Sequence, residues 1–348
     1  MNGRTGSSWL CAVAVLTLSA AQESEGQIAP STTKVGTTAA GFLKIGAGPR
    51  SLALGGAGVA LDGDLYGVYW NPASISRIAT SGAATFNHAN WIADIDFNVA
   101  AVALHVGDAG AFALSVTSFS VPEDIVRTLR DEAGDGRRFD AGSMAVGVSY
   151  AASLTDRFSF GITGKYIREQ IWNESASGFA LDVGTLFITP FNDMKIGASM
   201  TNFGTTLRLE GSDLYFNRDP DPAVTGGAEN IPSQYRVGEY SLPLSFRVGI
   251  AMDVVQEEGV TLTSVVDATH PNDNAEYLGM GLEGNFNRLI YGRIGYKSLF
   301  LEDSEQGLTW GLGVRYEFGV NSILMIDYGF ADYGRLNNVQ FVSASLYF

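Results

Sequence analysis

The sequence predicts an all-β protein, a 14-stranded antiparallel transmembrane β-barrel with an N-terminal hatch inside the lumen. Three observations carry this. From about residue 83 onward the chain repeats segments of period two, with one apolar face and one polar or glycine-rich face. Fourteen such segments can be counted, an even number, as a single-chain outer-membrane barrel requires. Their connections alternate between short and longer, as periplasmic turns and outer loops do.

Residues 1–21 have the form of a secretory signal peptide. Arg4 supplies a positive start, Trp9 to Leu18 an apolar run, and Ser19-Ala20-Ala21 a small-residue cleavage site. That run falls short of the roughly 20 residues needed to span a bilayer. The one cysteine, Cys11, lies inside it, so the mature chain has none and cannot rest on disulfides. Beyond the leader no apolar run is long enough for a membrane helix. Even so, 46% of residues are hydrophobic, 11% are aromatic and 42 are glycine. That combination fits an all-β chain with many turns. A net charge of −15 argues against nucleic acid, whose phosphates need a basic face.

Residues 22–40 are polar and rich in small side chains, and read as a periplasmic lead-in. Residues 41–80 differ from everything after them. Gly46, Gly48, Gly55, Gly56, Gly58, Gly63 and Gly67 stand between short apolar runs, ahead of a Trp70-Asn71-Pro72-Ala73 turn. No strand period holds for long there, so the stretch reads as irregular chain with one or two short helices, held inside something else. Residues 81–348 supply the enclosure.

The clearest strand is residues 307–319. Leu308, Trp310, Leu312, Val314, Tyr316 and Phe318 share one face; Thr309, Gly311, Gly313, Arg315 and Glu317 share the other. The same split places Leu242, Leu244, Phe246, Val248, Ile250 and Met252 against Ser245, Arg247, Gly249 and Asp253. Phe158, Phe160, Ile162 and Tyr166 oppose Ser159, Thr163 and Lys165, and Ile290, Ile294, Tyr296 and Phe300 oppose Tyr291, Arg293 and Lys297. A soluble sandwich also alternates. Here, however, the apolar faces are long and end in aromatics, and an arginine facing mid-bilayer lipid would cost roughly 2–4 kcal/mol. The charged faces therefore line the lumen.

The predicted strands are 83–92, 96–106, 110–121, 138–152, 157–168, 177–189, 193–209, 240–255, 259–269, 275–286, 289–300, 307–318, 322–332 and 338–348. Short turns follow residues 106, 153, 189, 256, 286 and 319. The longer connections are 122–137, 169–176, 210–239, 301–306 and 333–337, while 92–95 is a short exception. The last strand places Val342, Ala344, Leu346 and a terminal Phe348 on one face, the pattern that outer-membrane assembly machinery reads.

No catalytic or cofactor pattern accompanies these strands, and the chain reads as no enzyme. The glycine clusters miss G-x-G-x-x-G and lack a Walker lysine. No serine sits in G-x-S-x-G. His88, His105 and His270 have no metal-ligand spacing, and Asp213, Asp219 and Asp221 read as a solvated acidic loop. Two features remain of interest. Lumen charges Lys165, Arg247, Asp253, Arg293, Lys297, Arg315, Glu317 and Asp327 either line a solute path or pair with one another and with the hatch. Leu214, Tyr215, Phe216, Ile231 and Tyr235 place apolar groups in the longest loop, where they either bind a partner or cap the barrel.

Phe42-Leu43-Lys44-Ile45-Gly46, the run Pro49-Arg50-Ser51-Leu52-Ala53-Leu54-Gly55-Gly56-Ala57-Gly58 and the turn Tyr69-Trp70-Asn71-Pro72-Ala73 resemble the N-terminal signature of PorV/PorQ-type outer-membrane proteins. These are related to the FadL family of fourteen-stranded barrels. Ala53-Leu54 departs from the Gly-Met pair usual at that place. The resemblance implies a hatch built on Arg50, Gly55, Gly56, Trp70, Asn71 and Pro72, and a location in the outer membrane of a Gram-negative bacterium. The partners implied are outer-membrane lipid and the assembly machinery. Two functions follow from it: a type IX secretion accessory that binds secreted cargo proteins and secretion components, or a passive channel for a hydrophobic small molecule. A purely structural barrel is the third reading.

Overall fold

A computed structural model describes residues 34–220, 223, 230–319 and 321–348. The signal peptide expected over residues 1–21 and most of the lead-in lie outside the described residues, as does Asp221. Among the described residues no helix is long and apolar enough to cross a membrane. The crossing elements are strands.

Fourteen strands close into an antiparallel barrel. They are β1 Gly82–Trp91, β2 Ile95–His105, β3 Ala111–Ile125, β4 Arg138–Thr155, β5 Phe158–Ile171, β6 Glu174–Ile188 and β7 Lys195–Gly204. Three short strands follow within the longest loop: β8 Glu210–Gly211, β9 Tyr215–Arg218 and β10 Ile231–Gln234. The wall resumes with β11 Ser245–Glu257, β12 Val260–Pro271, β13 Tyr277–Phe286, β14 Ile290–Leu299, β15 Leu308–Phe318, β16 Ser322–Asp332 and β17 Asn338–Tyr347. Neighbouring wall strands pair in chain order, β7 pairs β11, and β1 pairs β17 from Ala83↔Tyr347 to Asn90↔Gln340, which closes the ring. Closure removes the free sheet edges that a membrane cannot satisfy.

The alternation seen in the sequence becomes the two faces of this wall. On β15, Leu308, Trp310, Leu312, Val314 and Tyr316 are exposed, while Thr309, Gly311 and Gly313 are buried. Trp310 stacks on Phe330 of the neighbouring strand at 5.5 Å. A continuous exposed apolar surface of this kind is the face that lipid covers.

Three expectations need correction. Residues 169–176 are not a long connection: β5 runs to Ile171 and β6 starts at Glu174, so Trp172-Asn173 turns the hairpin, with Trp172 at φ 52°. Residues 205–209 and 240–244 are not wall strand. β7 ends at Gly204 and β11 begins at Ser245. Leu242 consequently does not face lipid; it is buried in an apolar cluster with Phe42, Leu43 and Leu207. Alternation alone could not separate a strand that meets lipid from a loop that caps a lumen, because both bury leucine.

The chain ahead of β1 lies against the inner wall. It has 3₁₀ turns at Gly41–Lys44 and Pro72–Arg77 and short helices at Pro49–Ala53 and Gly67–Trp70. Pro49 opens its helix at a position where no amide donor is needed. Asn71 caps the second 3₁₀ turn, its side chain accepting from the Ala73 amide at 3.1 Å.

Candidate functional site

The lumen is filled by this N-terminal segment, and the fit is backbone on backbone. Four pairs of glycines face each other across neighbouring strands: Gly329 with Gly311, Gly295 with Gly281, Gly249 with Gly197, and Gly184 with Gly161. All eight point inward, and each pair lies beneath one piece of the segment. A Cβ at Gly329 would stand 3.1 Å from Pro49, and one at Gly311 2.7 Å from Ala53. At Gly295 it would meet the Gly55 amide at 2.3 Å, at Gly281 the Leu54 Cα at 2.6 Å, and at Gly197 the Val59 carbonyl oxygen at 2.1 Å. Gly184 and Gly161 leave space for Asn71 and Pro72 in the same way. The segment thus follows the wall strand by strand, from β16 round to β5. Any side chain at these positions would hold it off.

Polar groups fix what the glycines admit. Asn71 donates to the Val59 carbonyl at 2.7 Å and to the Thr185 carbonyl of β6 at 2.9 Å. Asp267 on β12 accepts the Gly58 and Val59 amides at 2.7 and 2.8 Å, so a buried carboxylate satisfies two orphan donors. Thr309 on β15 donates to the Ala53 carbonyl and accepts from the Gly55 amide, both at 3.0 Å. Trp70 donates to the Ala47 carbonyl at 2.7 Å, and the Arg247 guanidinium lies 5.0 Å over its ring.

A chain of alternating charges joins segment to wall. Asp327 on β16 pairs with Arg293 on β14 at 2.5 Å, and Arg293 pairs with Glu283 on β13 at 2.6 Å. Glu283 receives both Nε and Nη2 of Arg50, at 2.9 and 2.8 Å, and Arg50 reaches back to Asp64 at 3.0 Å. Burial alone would lower the Arg50 guanidinium, but the Glu283 and Asp64 carboxylates outweigh it and hold it well above its usual range. Burial also pushes the Tyr66 and Tyr69 phenols up to about 12. Tyr69 accepts the Gly46 amide at 2.9 Å and donates to the Leu43 carbonyl.

The structure thus brings Arg50, Arg293 and Asp327 of the expected site residues into one network, and Trp70 with Arg247 and Arg315 with Glu317 into separate pairs. Lys165 pairs with Asp182 at 2.6 Å and donates to Asn202. Lys297 lies along Gly56, with no ion pair among the described residues. Asp253 accepts from Thr263 at 2.6 Å, and Arg315 pairs with Glu317 at 2.8 Å, near the short turns. Gly55 and Gly56 adopt left-handed φ of 72° and 76°, which lets the chain turn tightly against β14. The reading of the sequence missed Glu283, Asp267 and the glycine pairs. Glu283 carried a signal, since it shares the lumen parity of β13 with Gly279 and Gly281. The glycine pairing becomes visible only once register is known.

Towards the long loops the lumen is apolar and occupied by the chain itself. Phe42, Leu43 and Tyr69 of the segment pack with Phe97 and Phe341 of the wall and with Leu207 and Leu242 from the base of the longest loop. A cavity of about 20 Å³ lies between Leu43, Val68, Tyr69, Val99, Thr117 and Lys165. That is room for a water molecule, against the roughly 300–1,000 Å³ of a small-molecule site. Larger recesses of about 430 and 410 Å³ open at the short-turn end and have mixed polar linings that include Glu317 and Asn321, and Glu257 and Asn285.

The longest loop pairs its β8 with the end of wall strand β6 and continues into a hairpin in which β9 pairs β10. Phe216 and Tyr235 stack at 4.5 Å, and Tyr215, Ile231 and Tyr235 are exposed, with Leu214 half-buried beside them. Asp213 of this loop accepts from Asn173 at 2.9 Å. Among the described residues no group of three or more His, Cys, Asp or Glu is arranged to hold a metal.

Comparison with known proteins places this architecture. Residues 29–193 match the family described as "Type IX secretion system protein PorV". Among solved structures, a FadL homologue of Pseudomonas aeruginosa aligns at TM-score 0.52 and 12% identity, over 86% of this chain and 97% of that one. The Pseudomonas putida toluene transporter TodX aligns at 0.52 and 12%, again over 86% and 97%. The Ralstonia pickettii toluene transporter TbuX aligns at 0.50 and 14%, over 86% and 97%. At these identities the likeness shows the fold. No curated protein matches the chain in sequence.

Proposed function

We propose that this outer-membrane β-barrel, whose residues 29–193 match the PorV family model and whose fold is FadL-like, works as a docking protein of the type IX secretion system, binding secreted proteins at the outer face. The observation that carries this reading is the occupied lumen: the apolar space at the loop end is filled by Phe42, Phe97, Phe341, Leu207 and Leu242. With that end of the lumen filled by the chain's own side chains, binding falls to the outer loops. The hairpin of the longest loop offers a surface for this, with Tyr215, Ile231 and Tyr235 exposed. Exposed tyrosines joined by a stacked aromatic pair are the residue types that anchor protein interfaces.

A second reading, passive passage of hydrophobic molecules, is favoured by one feature of the wall. β7 keeps register with β11 only as far as Thr201↔Ser245, and the β6–β7 register shifts between Leu181 and Val183. Above that point the loop completes the wall. Passage there would require Leu207 and Leu242 to leave their cluster.

The test is purification from detergent extracts of intact protein and of Tyr215→Ser/Tyr235→Ser protein. Co-purification of secreted proteins with the first and their loss with the second supports docking. A bound lipid or hydrocarbon with no protein partner from either would overturn it in favour of passage.

A further inference from the structure

We infer that the N-terminal segment is threaded through the whole barrel, entering at the long-loop end and leaving at the short-turn end, so that Lys34–Thr37 are displayed on the outer face of the cell. Residues 34–37 of the lead-in expected in the periplasm are thereby reassigned to the opposite side.

The two ends of the segment are held at opposite ends of the wall. At the first, Thr38 bridges in parallel to Ser241 at the base of the longest loop, and the Ala39 amide donates to the Ser241 carbonyl at 3.0 Å. Thr38 also donates to Asp273 at 2.7 Å, and Lys44 forms an ion pair with that same carboxylate. Asp273 lies in the connection from β12 to β13, on the long-loop side, and is itself buried. At the other end Arg77 donates to the Asp156 carbonyl in the tight β4–β5 turn, and to Ser159, both at 2.7 Å. The chain then enters β1, where the Gly82 amide donates to the Phe348 carbonyl at 2.8 Å.

Between these anchors the segment cannot slide, because the wall glycines leave no clearance over it. It must therefore be in place when β1, the next element of the chain, pairs with β17 and closes the ring. At the entrance Lys34, Gly36 and Thr37 are exposed and Val35 is 62% exposed. An exposed lysine among small and polar residues belongs in water, since a lysine facing mid-bilayer lipid would be strongly disfavoured.

The test is cysteine accessibility in a Cys11→Ser background, using a membrane-impermeant maleimide on intact cells. Asp303→Cys reports the long-loop face and Asn321→Cys the short-turn face. Labelling of Val35→Cys at a rate within about threefold of Asp303→Cys, while Asn321→Cys reacts only after permeabilisation, supports the threaded path. Val35→Cys that reacts only after permeabilisation overturns it, as does Val35→Cys that reacts under neither condition. Thr37→Cys, measured in parallel on heat-modifiable and hence folded barrel, guards against a local effect of one substitution. These outcomes do not depend on what the hairpin binds.

Discussion

Gly197→Ala should damage this barrel far more than an added methyl group normally does. Its Cβ would lie 2.1 Å from the Val59 carbonyl oxygen, 2.6 Å from the carbonyl carbon and 2.8 Å from the Ala60 Cα. All three are backbone atoms, so no rotamer change relieves the clash, and the Val59–Ala60 peptide has to move by an ångström or so. That peptide is not free to move. Its carbonyl accepts from Asn71 at 2.7 Å, and the Val59 amide donates to Asp267 at 2.8 Å. Overpacking a rigid site costs about 1–3 kcal/mol, and a buried hydrogen bond left unmade adds about 1–3 kcal/mol. The improved strand propensity of alanine over glycine offsets only about 0.5–1 kcal/mol. A loss of about 2–4 kcal/mol is expected, read from the urea midpoint of the protein refolded into lipid bilayers. Gly164→Ala is the reference, because its Cβ would meet nothing within 4 Å. If the two variants unfold within about 0.5 kcal/mol of each other, which is the usual range for surface changes, the segment does not rest on the wall as described.

Further outcomes follow from the same contacts. Arg50→Met strips Glu283 and Asp64 of a shared partner and should destabilise by about 3–5 kcal/mol in the same urea assay. Asn71→Ala removes a cap and two carbonyl contacts, and should cost about 1–2 kcal/mol through the cap alone. Tyr215→Ser/Tyr235→Ser should change stability by less than about 0.5 kcal/mol while lowering partner recovery, since both rings are exposed. Tyrosinate absorbance at alkaline pH should show Tyr66 and Tyr69 ionising only near 12. The sign is that of a raised acid: the folded state keeps its proton longer, so stability is intact below about pH 10 and falls as pH rises towards 12. Tyr66→Phe should remove part of the delayed absorbance.

The wall was legible in the sequence because lipid imposes a strict rule on one face of every strand. Arg315 and Glu317 were expected on the inner face once Trp310 and Leu312 faced out; Arg315 is half-buried and pairs with Glu317, which is exposed at the short-turn end. Loops obey no such rule. Residues 169–176 look polar and loop-like, yet they form strand in a hairpin that extends past the apolar band. Leu242 looks like the start of a lipid-facing row, yet it turns in to cap the lumen. The glycine-rich stretch announced close packing through its composition, but its partners lay far away in sequence, Gly329 lying beneath Pro49. No local pattern encodes which strand's glycine meets which residue. That information resides in the register and becomes readable only in three dimensions.

The glycine pairs also bear on function. A segment that gates a pore needs two arrangements of similar free energy, separated by contacts that can be remade. Here the contacts between segment and wall are of the kind least easily exchanged. They comprise backbone seated on backbone, a carboxylate on two amides, and a bidentate arginine within a five-residue charge chain. Moving the segment would take Arg50 from Glu283 and the Gly58 and Val59 amides from Asp267, at a cost of several kcal/mol where such a charge stays buried. The upper cluster is held differently: Leu207 and Leu242 pack on apolar neighbours, with the Leu207↔Tyr240 bridge and one hydrogen bond from Asn272 to the Leu242 carbonyl at 3.0 Å. Whatever conformational response this barrel has to a partner or a solute should therefore begin in the loop that carries Tyr215 and Tyr235. A disulfide across the Leu207–Tyr240 bridge should abolish that response, whereas one that ties the segment to β7 should leave it unchanged.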